Sequence, residues 1–207
     1  SRVAAGSALR VMMASDPGSL DRPSRVENFA MIARIAANDL TGLLDWTFRM
    51  LDGEPRWIDA VRAHGRTAGA ARPVPPVDPA TAIVMETLRL EQSEFLYRRT
   101  VKPIEVDGRT IPAGWLLRLC VQESHRDPAV FAEPDRFDPS RFVDRAWTRL
   151  EYSPFGGHTH GCMGGQLSFF LGRLFVEELA LGFEWTVARD GPIERGTRHR
   201  DHWRPSA

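Results

Sequence analysis

Between residues 24 and 51, apolar side chains recur at the three- and four-residue spacing of an amphipathic helix. Ser24 and Glu27 have the spacing of a capping box, which predicts the start of this helix, and Gly53 predicts its end. A helix of this length has about seven turns and can cross a whole domain. In its middle lies the segment AANDLTG, residues 36–42, whose small and polar residues are poor filler for an apolar core. The helix therefore carries a feature that packing alone does not explain.

The rest of the chain alternates between helical, extended and irregular patterns. Asp78 and Pro79 form an N-cap and N1 pair ahead of a second apolar helix, and short apolar runs between turn residues predict β-structure after it. A polar, proline-rich segment with three phenylalanines is expected to be irregular but packed. Together these patterns predict one mainly α-helical domain with a small β-sheet region. The predicted bounds are 78–91 for the second helix, 100–121 for the β-region, 122–152 for the irregular segment, 153–165 for a glycine-rich loop and 166–182 for a last apolar helix.

Composition and charge exclude several classes of partner. The 207 residues include 27 Lys and Arg and 27 Asp and Glu, so the formal net charge is zero and nothing predicts binding to nucleic acid or to an anionic membrane. No apolar run approaches the roughly 20 residues of a membrane-spanning helix. The two cysteines, Cys120 and Cys162, do not form a disulfide framework. A reducing cytoplasm is therefore the expected location.

Cys162 stands in an unusual setting, the stretch SPFGGHTHGCMGGQ at the predicted start of the last helix. Free backbone N–H groups and the positive end of a helix dipole favour a negative sulfur at such a position. The surrounding glycines allow the backbone to approach a flat ligand closely. A single thiolate as the only protein ligand suits haem, whose porphyrin supplies four nitrogens. A glycine-rich loop with an incidental cysteine is the alternative.

The segment FGGHTHGCMG resembles the cysteine-loop signature of the cytochrome P450 family. His158 departs from the signature, since the family usually has glycine there. The resemblance implies that Cys162 is the axial ligand of a haem b (iron protoporphyrin IX) and that Gly157 lies beside this cofactor. It also implies the haem-proximal, C-terminal part of the P450 fold. The positions that match the signature are Phe155, Gly156, His160, Cys162 and Gly164.

Two further segments match the family in the expected order. ETLR resembles the family's ExxR, with Glu86 and Arg89 three residues apart on one helix face. FDPSRF resembles the PERF segment and supplies Arg141. The resemblance implies a structural Glu–Arg–Arg network that holds the cysteine loop. Without it, Glu86 and Arg89 would be interpreted as a solvated surface pair.

The segment AANDLT resembles the oxygen-activation segment of the family's long distal helix. Ala36 and Ala37 would leave room for dioxygen, and Asp39 would be the acid of a proton-delivering pair. Leu40 stands at the usual alcohol position, and Thr41 is one residue further, a rotation of about 100° around the helix. Proton delivery by Asp39 with Thr41 or a water is the expectation. The alternatives are substrate-borne protons, or an Asp39 that is a helix-face acid with no role.

The resemblance also implies contacts to the cofactor's carboxylates and to a substrate. Arg98, twelve residues after Glu86, and His160 would bind the haem propionates, which need charge-assisted donors. The segment SEFLY would pass beside the haem, although an ordinary strand entry is equally compatible with it. The implied substrate-pocket residues are Leu40, Ser93, Glu94, Phe95 and Leu96.

The resemblance runs from about residue 24 to residue 185 and covers only the C-terminal half of a P450, of a bacterial soluble type. A fragment or one chain of a split protein is expected first, a short form completed by a homodimer second, and a degenerate relative third. The implied activity is a monooxygenase that inserts oxygen into, or oxidatively couples, a small organic substrate. Electrons would come from a separate ferredoxin-like or flavoprotein partner. The alternatives are a peroxide-using or non-oxidative haem-thiolate enzyme, suggested by Leu40, and a non-catalytic haem-binding protein.

Overall fold

The computed structural model describes residues 21–67, 76–91, 95–157 and 160–186. The chain divides into two compact units, Ser1–Thr41 and Gly42–Ala207. In chain order, the helices are α1 Arg22–Leu51, α2 Pro55–His64, α3 Pro79–Glu91, α4 Val121–Ser124 and α5 Gly165–Gly182, with a 3₁₀ helix at Pro139–Phe142. The strands are β1 Phe95–Arg99, β2 Ile104–Val106, β3 Arg109–Ile111 and β4 Leu116–Cys120. The predicted mainly α-helical fold with a small β-region is confirmed.

Helix α1 begins two residues earlier than the capping-box pattern predicts. Asp21 accepts a hydrogen bond from the Ser24 N–H through Oδ1 at 3.0 Å, so Asp21 is the N-cap and Ser24 lies inside the helix. At the other end, Leu43, Trp46 and Leu51 are buried. Leu43 and Trp46 are three residues apart and share one side of the helix, whereas Leu51, five residues after Trp46, is rotated from it by about 140°.

Helix α3 is the centre of the larger unit, because every residue from Ala80 to Glu91 is buried. Asp78 caps it by accepting from the Thr81 N–H at 2.9 Å and from the Thr81 hydroxyl at 2.7 Å, and Pro79 follows at the first helical position. Helix α3 packs against α2, α5 and the 3₁₀ helix. It therefore holds Glu86 and Arg89 in the core rather than on a solvated face.

The strands form two separate antiparallel pairs within the described residues. Strand β1 pairs with β4, from Phe95 opposite Cys120 to Arg99 opposite Leu116, and β2 pairs with β3. Asp107 and Gly108 connect β2 to β3 with φ values of +48° and +72°. Asp-Gly is the dipeptide favoured in two-residue hairpin turns that need positive φ at both positions.

The irregular segment is packed by a closed group of aromatic rings, as its phenylalanine content predicts. His125 stacks on Tyr152 at 5.2 Å between ring centroids, and Tyr152 contacts Phe142 at 4.9 Å. Phe142 contacts Trp147 at 5.5 Å, Trp147 stacks on Phe131 at 4.6 Å, and Phe131 meets His125 edge-on at 6.3 Å. These contacts fix an otherwise irregular chain next to α3 and the cysteine loop. In the part of the chain described here, every helix falls short of the length or apolar character that bilayer crossing requires.

Close packing between α3 and α5 leads to a prediction about Gly172. A Cβ at this position would lie 2.9 Å and 3.0 Å from the two methyl groups of Val84. Gly172→Ala should therefore lower the free energy of unfolding by about 1 kcal/mol, since overpacking costs about 1–3 kcal/mol and the better helix propensity of alanine returns about 0.5–1. Urea unfolding measures the change, and Val84→Ala in the same chain should relieve the overpacking.

Gly182→Ala is the matched control, because the nearest atom there belongs to the exposed Glu178 side chain at 3.4 Å. A Gly172→Ala chain as stable as the original would contradict this packing.

Candidate functional site

The cysteine loop, residues 153–165, is held by internal backbone hydrogen bonds, two of which lead from Ser153 to Cys162. Gly156 donates to the carbonyl of Ser153 at 3.0 Å, and Cys162 donates to the carbonyl of Phe155 at 2.9 Å. Gly156 has φ +68°, a conformation that L-residues with side chains rarely adopt. The chain thus turns sharply after Ser153 and returns to place Cys162 beside Phe155.

The side chain of Cys162 is exposed and lines a cavity of about 560 Å³. A Cβ at Gly164 would lie 3.7 Å from the Cys162 Sγ, and a Cβ at Gly165 would lie 3.1 Å from the Phe155 ring. The contact at Gly165 is tighter than an ordinary van der Waals contact, so this glycine lets the start of α5 approach the Phe155 ring closely, whereas the distance at Gly164 is an ordinary contact. Helix α5 begins at Gly165, three residues after Cys162. Other residues lining the cavity include Gly156, Gly157, Phe169, Arg145 and Arg149.

The donor set at Cys162 fits a haem better than a metal ion bound by protein ligands alone. Among the described residues, no three His, Cys, Asp or Glu side chains come together in a way that could hold a metal ion. One sulfur ligand is enough for a macrocycle that brings four nitrogens of its own. A cavity of about 560 Å³ with apolar rings, glycines and arginines can also accept a flat, partly charged cofactor.

Glu86, Arg89 and Arg141 form one buried charge cluster. Arg89 donates from Nε to Oε2 of Glu86 at 2.7 Å and from Nη2 to Oε1 at 2.9 Å, a bidentate pair with both side chains 0 % exposed. Arg141 donates from Nε to Oε1 of Glu86 at 3.1 Å. The backbone N–H of Asp138 adds a fourth donor to the carboxylate at 2.8 Å. The geometry is that of a structural centre, and the solvated surface pair does not describe it.

Arg89 also binds the irregular segment through backbone carbonyls. Its Nη1 donates to the carbonyls of His125 at 2.8 Å and Pro134 at 2.7 Å, and its Nη2 donates to that of Arg136 at 3.2 Å. The guanidinium lies 5.0 Å from the centroid of the Phe131 ring. All of the donor groups of Arg89 are thus engaged, which explains how a buried cation is tolerated here.

His125 and Tyr152 connect this centre to the cysteine loop, and sequence reasoning missed both. The Ser153 N–H donates to Nε2 of His125 at 3.0 Å, and the Tyr152 hydroxyl donates to the carbonyl of Met85 at 2.8 Å. Burial, together with the positive charge of Arg89, lowers the pKa of His125 to about 4. Burial raises the pKa of Tyr152 well above its ordinary value. A histidine in a polar, proline-rich run gives no sequence signal of burial, so only the fold reveals this contact.

The oxygen-activation segment lies on α1 in the unit Ser1–Thr41. Ala36, Ala37 and Thr41 are exposed, and Asp39 and Leu40 are half-buried. The Thr41 hydroxyl donates to the carbonyl of Ala37 at 2.8 Å. A helical threonine that bonds back in this way has used its only hydroxyl proton within the helix.

The remaining candidate residues lie on β1 and in the cysteine loop. Leu96 is close to the loop, since a Cβ at Gly156 would lie 3.7 Å from its Cδ1 atom. Arg98 is half-buried and donates to the carbonyl of its neighbour Tyr97 at 2.7 Å. His160 is exposed, and its backbone N–H donates to the carbonyl of Gly157 at 3.2 Å. Phe95 begins strand β1. Ser93, Glu94 and His158 lie outside the described residues.

Comparison with known proteins gives one family. The family model named Cytochrome P450 matches residues 79–199, more than half of the chain. An abscisic acid 8'-hydroxylase of Solanum lycopersicum is 30 % identical over 171 residues, which are 75 % of this chain and 35 % of the relative. A cucurbitadienol 11-hydroxylase of Siraitia grosvenorii is 31 % identical over 161 residues, which are 71 % of this chain and 34 % of the relative. This chain therefore spans about a third of the length of these curated relatives.

Solved structures match the fold over a similar part of their length. The retinoic acid-bound cyanobacterial CYP120A1 aligns with a TM-score of 0.76 and 21 % identity, covering 94 % of this chain and 49 % of that one. A six-coordinated cytochrome P450 from Thermus thermophilus aligns with a TM-score of 0.59 and 25 % identity, covering 71 % of this chain and 38 % of that one. The two curated relatives are plant proteins, so they do not support the bacterial type that the resemblance suggests.

Proposed function

Because this chain belongs to the cytochrome P450 family, we propose that it forms the haem-thiolate part of an oxidoreductase in which Cys162 ligates the iron of haem b. The observation that carries this proposal is the exposed Cys162 in a cavity whose walls include the cysteine loop. The loop is tied through Ser153 and His125 to the buried Glu86–Arg89 pair. A ligand residue needs such support, because a loosely held thiolate is easily displaced or protonated.

Each part of the chain has a distinct task in this proposal. A thiolate-ligated haem supplies an iron that activates dioxygen or peroxide, since electron density from the sulfur favours O–O cleavage. Gly156, with its positive φ, forms the turn of the loop that would hold the cofactor, and Gly164 leaves the space beside the sulfur free of a side chain. Arg98 and His160 donate to the propionate carboxylates. Asp39 holds and releases a proton at its carboxylate. Oxygen insertion into a small organic substrate is the reaction, in line with the two relatives, which are hydroxylases by name.

The peroxide-using alternative has an observation in its favour. The Thr41 hydroxyl donates its hydrogen bond to the carbonyl of Ala37, and Leu40 stands where the family usually has an alcohol. Dioxygen chemistry needs two protons from the protein or solvent, whereas hydrogen peroxide already carries two. An Asp39 that is not followed by an alcohol therefore suits the use of peroxide. In this alternative Asp39 is the acid that matters and Thr41 is dispensable.

Peroxide turnover by the haem-loaded chain discriminates between these two candidates. We expect hydrogen peroxide to drive oxidation of guaiacol, used as a probe, and Asp39→Asn to slow it about 10²-fold, the usual size of a lost general acid. Thr41→Val, which removes the hydroxyl and keeps the shape, should stay within about twofold if peroxide use is correct. A large loss in Thr41→Val would place Thr41 in the proton path and would remove the reason to prefer peroxide. A rate that Asp39→Asn leaves unchanged would remove Asp39 from the mechanism.

The partners follow from the proposed chemistry. A small-molecule substrate and a separate ferredoxin-like or flavoprotein electron donor are required for monooxygenase work, and a cytoplasmic location stays a prediction. Three large side chains on or next to β4 are exposed: Trp115 by 59 %, Leu116 by 59 % and Leu119 by 46 %. Leu116 and Leu119 are three positions apart and so lie on opposite faces of the strand, and exposed apolar side chains on both faces favour a covering partner, either an N-terminal half supplied as another chain or a second copy. Sedimentation of the haem-loaded chain distinguishes a homodimer from a monomer that waits for a different chain.

A further inference from the structure

His125 lies where three structural elements meet. It ends helix α4, where its backbone N–H donates to the carbonyl of Val121 at 3.0 Å. Its own carbonyl accepts from Nη1 of Arg89 at 2.8 Å. Its ring accepts the Ser153 N–H at Nε2 and is 0 % exposed. One residue therefore contacts both the buried charge centre, through its backbone, and the first residue of the cysteine loop, through its side chain.

The hydrogen bonds of the ring determine its protonation. An imidazole nitrogen that accepts a hydrogen bond carries no proton, so the neutral His125 holds its proton on Nδ1. Nδ1 is buried, and no hydrogen-bond partner for it lies among the described residues. A buried donor without an acceptor is unfavourable. The ring nonetheless keeps the orientation that leaves Nδ1 unsatisfied and gives Nε2 to Ser153.

We propose that His125 is a positioning residue for the thiolate ligand, and that its Nε2 sets the point from which the cysteine loop departs. This inference deepens the proposed function and rests on it. Two further bonds extend the effect along the loop. The carbonyl of Ser153 accepts from Gly156, and the carbonyl of Phe155 accepts from Cys162. A shift of Ser153 is therefore transmitted through one tight turn to the ligand itself.

The surroundings of His125 keep the ring neutral, as an acceptor must be. Burial of the ring is the main cause, and the Arg89 guanidinium, held by Glu86, opposes a second positive charge nearby. Tyr152 stacks on the ring, and its hydroxyl is turned away to the carbonyl of Met85. On another side, the Phe131 ring meets the His125 ring edge-on. The imidazole thus meets one cation and two aromatic rings.

Two substitutions separate the acceptor from the bulk of the ring. His125→Phe keeps a ring and removes the acceptor, whereas His125→Gln keeps an acceptor at a similar reach. Among haem-bound molecules, reduced and exposed to carbon monoxide, His125→Phe should shift a large share from the strongly red-shifted band of thiolate ligation to the band of neutral-ligand haem. His125→Gln should restore most of the thiolate band. Val61→Ala is the control, since it removes buried methyl groups from helix α2 and leaves the hydrogen bond between Ser153 and His125 in place. It should lower stability and leave the ratio of bands unchanged.

A measurement on the chain without haem keeps the inference testable by itself. Nitrogen-15 NMR of the unmodified chain should find the His125 proton on Nδ1 and Nε2 unprotonated. The Ser153 amide should exchange with solvent roughly tenfold more slowly than in His125→Phe. A proton on Nε2, equal exchange in the two chains, or equal band ratios in His125→Phe and Val61→Ala would overturn the proposal. If the unmodified chain takes up no haem, the claim that these residues bind the cofactor without a further chain fails, while the NMR result still decides whether His125 positions the loop.

Discussion

Replacing Glu86 by alanine is expected to lower the free energy of unfolding by about 3–5 kcal/mol, the cost of breaking a buried ion pair by removing one partner. The carboxylate accepts four hydrogen bonds, two from Arg89 and one each from Arg141 and the Asp138 N–H. Its removal leaves Arg89 charged and 0 % exposed, with only carbonyl oxygens around it. The loss should therefore spread from α3 to the irregular segment and to the cysteine loop.

An exposed pair with the same charges is the control for this result. Glu133 and Arg136 are also three residues apart and joined at 2.8 Å, but their side chains are 69 % and 48 % exposed. Glu133→Ala should cost no more than about 0.5 kcal/mol. Urea unfolding followed by circular dichroism gives both values. Equal small losses for Glu86→Ala and Glu133→Ala would contradict a structural centre at Glu86.

Acid is expected to destabilise the chain through His125 before the carboxylates contribute. The pKa of this histidine falls from an ordinary 6.5 to about 4 on folding, so the unfolded chain binds more protons between these two values. Stability therefore rises with pH in this window and is lost as the pH falls through it. One pKa unit corresponds to about 1.4 kcal/mol, so the expected loss is about 2 kcal/mol between pH 7 and pH 5.

The contribution of His125 is isolated by comparison with His125→Gln, which has no titrating group at this position. The pKa values of Asp138 and Glu151 are also lowered. At Asp138 partial burial opposes the change, but hydrogen bonds from Ser140 outweigh it, and at Glu151 hydrogen bonds from Thr148 are the cause. The stabilising effects of both carboxylates are lost mainly below pH 5, near and below the ordinary carboxyl values. Urea unfolding at pH 7 and pH 5 therefore reports chiefly on the histidine. The same pH dependence in both chains would mean that the ring is not held neutral by burial.

The local elements and the charge cluster could be predicted from the sequence because each has a short-range signature. Helical spacing and Asp78–Pro79 mark α1 and α3, and the ETLR and FDPSRF segments name all three members of the Glu86 cluster. Even so, Asp21 and Ser24 are both good capping residues, and the spacing to Glu27 favoured the second, whereas the Asp21 carboxylate makes the cap. Local preference alone cannot choose between two adequate caps.

The features that sequence reasoning missed depend on contacts between distant segments. His125 and Ser153 are 28 residues apart, and Gly172 and Val84 meet only when α5 packs on α3. No periodicity or motif connects such positions, because burial of a polar ring or close approach at a glycine is decided by the assembled core. The Thr41 back-bond to Ala37 is different, since threonine in a helix is known to make it and the sequence alone contains the spacing.

The most direct test of Cys162 as a haem ligand is the absorption spectrum of the haem-loaded chain, reduced and exposed to carbon monoxide, beside Cys162→Ala. We expect a strongly red-shifted Soret band in the original chain and none in Cys162→Ala, because only a thiolate ligand produces that band. A band at the position of neutral-ligand haem in both chains would contradict the account, since another residue would then hold the iron. Failure of the original chain to take up haem would contradict the claim that these residues bind the cofactor without a further chain.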